Sequence, residues 1–367
     1  MRNRYKATSL EIASLAGVSQ PTVSRALRGS ATVSEETRRR ILAIAKELNY
    51  TVDKNASGLR CQHSNTLALL FFEDPTLDDS RINPFFLTMV GHLTRACAVL
   101  GYDLLVSFQR MSANWQADYE DCRKADGIIL LGYGDYLEHL IKLRQLMEQG
   151  TKFVRWGAVL PNHPGISVGS DNLQGGRDIT RHLLERGCER IGFLGHASDH
   201  YPEFYERYRG YSQTLEWAGR EVDPQLQLDA VSTEQSGYDA ASALLDRKLQ
   251  VDALFCASDL IAIGAMRALQ DHGLRIPEDI AVAGFDDIPT AHLVSPSLTT
   301  VQQDTKTAAA ALVESLLGLI RGEPVQSRKM PVSLAIRDST RFTAQSLPPV
   351  PLLAKPAAQP RTGSRRQ

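Results

Sequence analysis

The sequence predicts an N-terminal all-α helix-turn-helix head followed by an α/β core of two parallel-sheet subdomains. Three observations carry this reading. Residues 8–48 contain short apolar runs at helical spacing, separated by turn and capping residues. From Thr66 to about Thr340 apolar strands alternate with amphipathic helices. Positive charge is concentrated at the start of the chain: residues 1–62 hold 11 Lys and Arg against 5 Asp and Glu, a net +6.

The head begins at Thr8-Ser9-Leu10-Glu11, where Thr8 can cap the backbone amide of Glu11 and Glu11 can reach back to Thr8. Ile12, Leu15 and Ala16 then mark an apolar face. Gly17 permits a tight turn, Val18 anchors it, and Ser19 can cap a second helix that tolerates Pro21 in its first turn. Val23, Ala26 and Leu27 turn inward, leaving Gln20, Pro21, Thr22, Ser24 and Arg25 outside. Ser34 can cap a third helix whose Ile41, Ile44, Ala45 and Leu48 close a small core. Two helices meeting across so short a turn form a helix-turn-helix.

The core strands read LALLFF (67–72), YDLLVSF (102–108), GIILL (127–131), ISVGS (166–170), RIGFLG (190–195), ALFC (253–256) and IAVAGF (280–285). Strands this apolar are covered on both faces, which requires parallel sheets flanked by helices. About 275 residues exceed one comfortable core, so two similar sheets with a cleft between them are expected, with ligands beyond the carboxyl ends of the strands. The boundaries are a head over 1–50, a linker over 51–64, the core over 65–345, and a Pro-, Ser- and Arg-rich tail over 346–367 that is expected to be disordered.

Other classes are disfavoured. The five cysteines (Cys61, Cys97, Cys122, Cys188 and Cys256) are scattered and never in a C-x-x-C pair, so neither a disulfide framework nor a zinc site is expected. No signal-peptide pattern and no run of 18 apolar residues appears, which points to a cytoplasmic protein without a membrane partner. The overall charge of −1 hides a basic head and a tail of +4 around a core of −11 over residues 63–345. A basic head on an acidic body places any polyanion at the head.

Gln can pair with adenine and Arg with guanine in the major groove, while Thr22 and Ser24 suit phosphate or sugar. At AGVSQPTVSRALRG, VSEETRRRILAIAKELNY and the alternating core beyond them, the chain resembles the lactose-repressor/galactose-repressor (LacI/GalR) family of bacterial regulators, over roughly residues 7–345. The resemblance implies a homodimeric, sequence-specific regulator of transcription, most simply a repressor, on double-stranded operator DNA. It puts base selection on Gln20 and Pro21 with Arg25 as a further reader, and Ser19, Thr22 and Ser24 beside them. Pro21 departs from a hydrogen-bonding residue, so its readout would be apolar. A hinge helix that orders on DNA falls on TVDKNASGLRCQHS, with Leu59 as minor-groove wedge and Asn55 and Ala56 facing the groove.

The resemblance further implies a periplasmic-binding-protein-like core: two subdomains joined by three crossovers, with a small-molecule effector in the cleft. In Asn83-Pro84-Phe85-Phe86, Phe85 would stack on a ligand ring while Phe86 packs inside. Arg207, three residues before Gly210, takes the ligand-clamping position. Asp286 at the end of IAVAGF accepts from ligand hydroxyls, and Asp259 and Asp171 follow other strands, where carboxylates also serve as helix caps. Aspartates, an arginine and aromatic rings together suit a sugar. No cofactor or metal is called for. Two rivals remain. A sugar-binding protein without DNA function leaves the basic head unexplained. An enzyme would need a phosphate loop, nucleophile elbow or H-E-x-x-H, none of which occurs, and only His196 and His200 suggest a metal cluster.

Overall fold

The computed structural model describes residues 7–27, 29–48, 50, 63–72, 82–109, 113–132, 134–161 and 163–341. Two compact units divide the chain at Asn65 and Thr66.

The first unit is three helices: α1 (Ser9–Ala16), α2 (Gln20–Leu27) and α3 (Glu35–Glu47). Thr8 and Glu11 form the reciprocal cap at the start of α1. Gly17 ends that helix at φ 65, a left-handed geometry that favours glycine. Ser34 caps α3 through the Thr37 amide. The core is Ile12, Ala13, Ala16, Val23, Ala26, Val33, Ile41 and Ala45. Two expectations shift. Leu15 is 64% exposed, because Ala13 rather than Leu15 shares the buried face with Ile12 and Ala16, and Leu48, the C-cap of α3, is 37% exposed. Leu27 and Ile44 pack only at the margin.

The second unit runs β1 (Thr66–Phe72), α4 (Pro84–Val99), β2 (Asp103–Gln109), β3 (Gly127–Leu131), α5 (Tyr136–Glu148), β4 (Phe153–Trp156), β5 (Ile166–Ser170), α6 (Asn172–Glu185) and β6 (Ile191–Leu194). It continues with α7 (Pro202–Trp217), β7 (Gln227–Leu228), α8 (Glu234–Asp246), β8 (Ala253–Cys256), α9 (Asp259–Asp271), β9 (Ala281–Asp286), β10 (Thr299–Gln303), α10 (Thr305–Ile320), β11 (Arg328–Met330) and β12 (Val332–Ala335).

These strands make two six-stranded sheets, ordered β11-β5-β4-β3-β1-β2 and β12-β10-β9-β8-β6-β7. All pairings are parallel except β10 with β12. Every residue of β3 and β9 is buried, as expected of strands covered by helices on both faces. The chain passes between the sheets three times, at Asp171, Asp304 and Pro331. Asp171 and Asp304 cap the helices that follow them, and the Asp171 amide donates to the Met330 carbonyl at 2.8 Å, tying two crossovers together. Helix α10 returns to pack on α4 and the first sheet, while α6 packs on α7 of the second.

Candidate functional site

In the first unit, α2 presents its predicted outer face. Pro21 and Arg25 are exposed, with Val23 and Ala26 beneath them. Pro21 is the second helical residue, where no hydrogen-bonded amide is lost. Ser19 Oγ lies 2.9 Å from Thr22 Oγ1, while the Ser19 carbonyl accepts from the Thr22 and Val23 amides. Gln20 Nε2 donates to Ser9 Oγ at 3.0 Å, which engages its amide end against α1, a bond that pairing with adenine would have to replace. Ser24 is partly buried on the same helix. Asn55, Ala56 and Leu59, together with the tail, lie outside the described residues.

In the second unit, the centre of the site is Arg207, buried on α7. Its Nε donates to Asn172 Oδ1 at 2.9 Å, Nη1 donates to the Ala257 carbonyl, and Nη1 stands 3.6 Å from Asp286 Oδ1. The guanidinium lies over the Phe285 ring at 3.7 Å, with the Phe204 ring 5.3 Å away. Close helix packing sets this position: a Cβ on Gly176 would fall 2.3 Å from the Arg207 carbonyl, and one on Gly210 would fall 2.3 Å from that of Leu173. Only glycine lets α6 and α7 approach so closely.

Asp286 ends β9 with φ 125 and Asp287 follows at φ 55, both sparse for residues with a Cβ and the kind of strain that gathers at binding sites. Gln303 Nε2 donates to Asp286 Oδ1 at 2.6 Å, and Arg337 pairs with Asp287 at 2.6 Å. Ala257, Asp286 and Gln303 lie at the carboxyl ends of second-subdomain strands or just beyond, and Asn172 lies just beyond the carboxyl end of β5 in the first sheet, where ligands of such sheets bind.

The other predicted residues sit elsewhere. Asp259 is fully buried, accepting from Thr300 Oγ1 at 2.5 Å and the Ile288 amide at 2.8 Å, so it ties β10 and the loop after β9 to α9. Burial pushes its carboxyl well above the usual range, and neighbouring Asp286 pushes the same way. Asp171 is the cap of α6, 3.7 Å from Lys329. Phe85 is as buried as Phe86: its ring centroid lies 5.5 Å from that of Phe86 and 5.8 Å from that of Trp156, which places it in the core under the cleft. Of the five predicted positions, Arg207 and Asp286 meet, and Asp259 stands behind Asp286.

Sequence reading missed a second polar centre, on the facing subdomain. Arg155 on β4 is 5% exposed; its Nη2 donates to the Ala158 carbonyl at 2.9 Å and lies 3.1 Å from His163 Nδ1. Its Cζ is 5.1 Å from the Tyr136 ring centroid, and that ring stacks on His163 at 4.6 Å. Glu203, from the start of α7 in the other subdomain, accepts from the Ala158 amide at 2.6 Å. Arg155 Nε and Tyr136 Oη have no hydrogen-bond partner among the described residues, and a buried polar group left unsatisfied costs about 1–3 kcal/mol. Burial lowers the Arg155 guanidinium against the opposing pull of Glu203, and burial followed by the Arg155 charge lowers His163. The available signal was an arginine inside the apolar run FVRW.

Further contacts join the two subdomains. Tyr136 N donates to the His200 carbonyl at 2.8 Å, His200 Nδ1 lies 2.5 Å from Asp135 Oδ2, and Asn83 Nδ2 donates to Ser232 Oγ at 3.1 Å. His196 stacks on Tyr201 and stands 3.5 Å from Asp229. Among the described residues no group of three or more His, Cys, Asp and Glu could hold a metal ion, and no helix is long and apolar enough to cross a membrane.

A three-helix unit with an exposed recognition-type helix, followed by two parallel-sheet subdomains joined by three crossovers, defines a DNA-binding regulator with a ligand-binding core. The family model of bacterial regulatory proteins, lacI family, matches residues 9–53, and that of the periplasmic binding protein-like domain matches residues 180–340. The HTH-type transcriptional regulator CelR of Thermobifida fusca is 32% identical over 346 residues, 92% of this chain and 100% of that protein. The HTH-type transcriptional repressor CytR of Escherichia coli (strain K12) is 31% identical over 91% of this chain and 96% of its own. The chain belongs to the lacI family of bacterial regulatory proteins and is a DNA-binding regulator of transcription. Among solved structures, a transcriptional regulator CelR–cellobiose complex matches with TM-score 0.68 and 32% identity, over 91% of this chain and 100% of that chain. A lac repressor dimer bound to operator and the anti-inducer ONPF matches with TM-score 0.77 over 92% of this chain and 99% of that one; at 24% identity it speaks to the fold alone.

Proposed function

We propose that this regulator is a repressor whose operator affinity is set by a carbohydrate held in the cleft of its core, and that it acts as a cytoplasmic homodimer with no enzymatic step. The observation that carries the reading is the Arg207–Asp286 pair, buried at strand ends among Asn172, Gln303 and the Phe204 and Phe285 rings. Paired hydrogen-bonding groups beside flat apolar rings match a sugar's hydroxyls and its C–H face. The related CelR, solved with cellobiose, supports the same class. Gln20, Pro21 and Arg25 read bases from the major groove, Ser19, Thr22 and Ser24 hold the backbone, and Leu59 with Asn55 and Ala56 acts in the minor groove.

In this scheme residues 1–50 bind DNA, 51–64 form the hinge and 65–345 bind effector and partner subunit. Asp259 and Asp171 act by holding the site's backbone, and Phe85 by supporting its floor through Trp156. A ligand can move the DNA equilibrium only by preferring one cleft geometry over another. The test is a calorimetric and thermal-shift screen of mono- and disaccharides against the purified chain. Saturable binding of a sugar that weakens about ten- to a hundredfold on Asp286→Asn supports the reading. Saturable binding of a nucleobase or amino acid in place of every sugar would overturn it.

A further inference from the structure

Between Tyr136, Arg155 and Trp156 of one subdomain and Tyr201, Glu203 and Phe204 of the other lies a cavity of about 30 Å³. That is room for one hydroxyl or hydroxymethyl group, and too little for a sugar ring. Glu203 and Arg207 are four residues apart on α7 and so share a face of the helix. Phe204 both lines the cavity and flanks Arg207. The cavity therefore adjoins the Arg207–Asp286 centre.

His139 and Tyr201 complete the polar lining beside Tyr136, Arg155 and Glu203. Two donors are unpartnered among the described residues, Arg155 Nε and Tyr136 Oη. One acceptor comes from the opposite subdomain, the Glu203 carboxylate, of which Oε1 already accepts from Ala158 N. The formal charges of Arg155 and Glu203 offset each other, as those of Arg207 and Asp286 do next door. Burial and the Arg155 charge oppose protonation of His163, so it adds no cation to the balance.

We propose that this cavity is a specificity subsite that takes a hydroxyl arm of an uncharged saccharide and discriminates against sugar acids. A hydroxyl can accept from Arg155 or Tyr136 and donate to Glu203, using both kinds of group at once. A carboxylate or phosphate can only accept, and would place a second negative charge against Glu203 where the guanidinium charge is already balanced. The inference rests on the carbohydrate reading above and adds the charge class of the sugar.

The test is isothermal titration of the full chain with cellobiose, D-glucose and D-galactose beside cellobionate, D-glucuronate and D-galacturonate. The wild type should bind at least one neutral sugar tenfold or more tightly than its acid. Glu203→Gln keeps an acceptor for the Ala158 amide but removes the charge, so it should compress that ratio at least fivefold, which a merely structural role would not do. Tyr136→Phe keeps the ring on His163 and should weaken the neutral sugar about three- to tenfold. An acid bound as tightly as its neutral partner, or a ratio unmoved by Glu203→Gln, overturns the subsite and leaves the carbohydrate reading standing. Binding of none of the six by the folded wild type overturns both.

Discussion

Arg207 Nη1 and Asp286 Oδ1 face each other at 3.6 Å with both side chains 1% exposed, one on a helix and the other at the end of a strand. Each is also held by a neutral neighbour, Asn172 for the arginine and Gln303 for the aspartate. A buried pair so surrounded is a preorganised donor and acceptor at the cleft, and it is also part of the fold.

That double role separates two variants. Asp286→Asn keeps shape and an acceptor, and should weaken effector binding about ten- to a hundredfold, or roughly 1.5–3 kcal/mol, with operator affinity near wild type in the absence of sugar. Both variants leave a buried charge without its partner, but Arg207→Ala should destabilise the core the more, by about 3–5 kcal/mol, because it also removes the side chain packed on the Phe285 ring. Calorimetry with the bound sugar and denaturant melts of both variants check this. Equal stability of the two, or an unchanged sugar affinity in Asp286→Asn, would contradict it.

Gly210→Ala tests the helix crossing that places Arg207. The added methyl meets the Leu173 carbonyl, so α6 and α7 must separate. A loss of about 1–3 kcal/mol is expected, with weakened sugar binding. A neutral substitution would mean that α6 and α7 yield at no cost.

Much of this was legible in the sequence, and the exceptions have physical causes. The capping box at Thr8 and the glycine turn after α1 read directly, since caps are local. The apolar strands β3, β6, β8 and β9 read equally well. Strand β10, TTVQQ, did not, because its buried residues include Thr299, Thr300 and Gln303, polar groups satisfied only by distant partners such as Asp259 and Asp286. Strand β11 pairs with β5 across some 160 residues of sequence and carries exposed Arg328 and Lys329, so no periodicity marks it. Arg207 and Asp286 stood out by motif, whereas Asn172, Gln303 and the Arg155 centre gain meaning only once the two sheets are brought together.

His163 supplies a pH prediction. Burial, then the Arg155 charge, hold its folded-state pKa below the ordinary 6.5. For a base lowered by folding, the unfolded chain takes up the proton first, so stability should fall as pH drops through about 6.5. His182, lowered by burial and Arg186, acts in the same direction. Asp259, whose carboxyl pKa is raised by burial, acts in the opposite direction as pH falls, so the histidine contribution is read by difference: between pH 7.5 and 5.5 His163→Asn should gain melting temperature relative to the wild type. A difference between the two proteins that is constant over this window, or that runs the other way, would contradict the assignment.

Arg25 stands exposed on α2. Arg25→Ala should cost about 1–3 kcal/mol on the best site and flatten preference at one base position, leaving random DNA almost unaffected. A uniform loss across sequences would make it a phosphate contact.

The most direct test of sugar-controlled DNA binding uses the full chain in two stages. Site selection from random duplexes should enrich a near-palindromic operator, as a two-fold dimer requires. Fluorescence anisotropy on that operator, with and without a saturating sugar found by calorimetry, should then show affinity changed at least tenfold by the sugar in the wild type. In Asp286→Asn the same change should need ten- to a hundredfold more sugar. No enriched sequence, or an operator affinity indifferent to every sugar the core binds, would contradict the account.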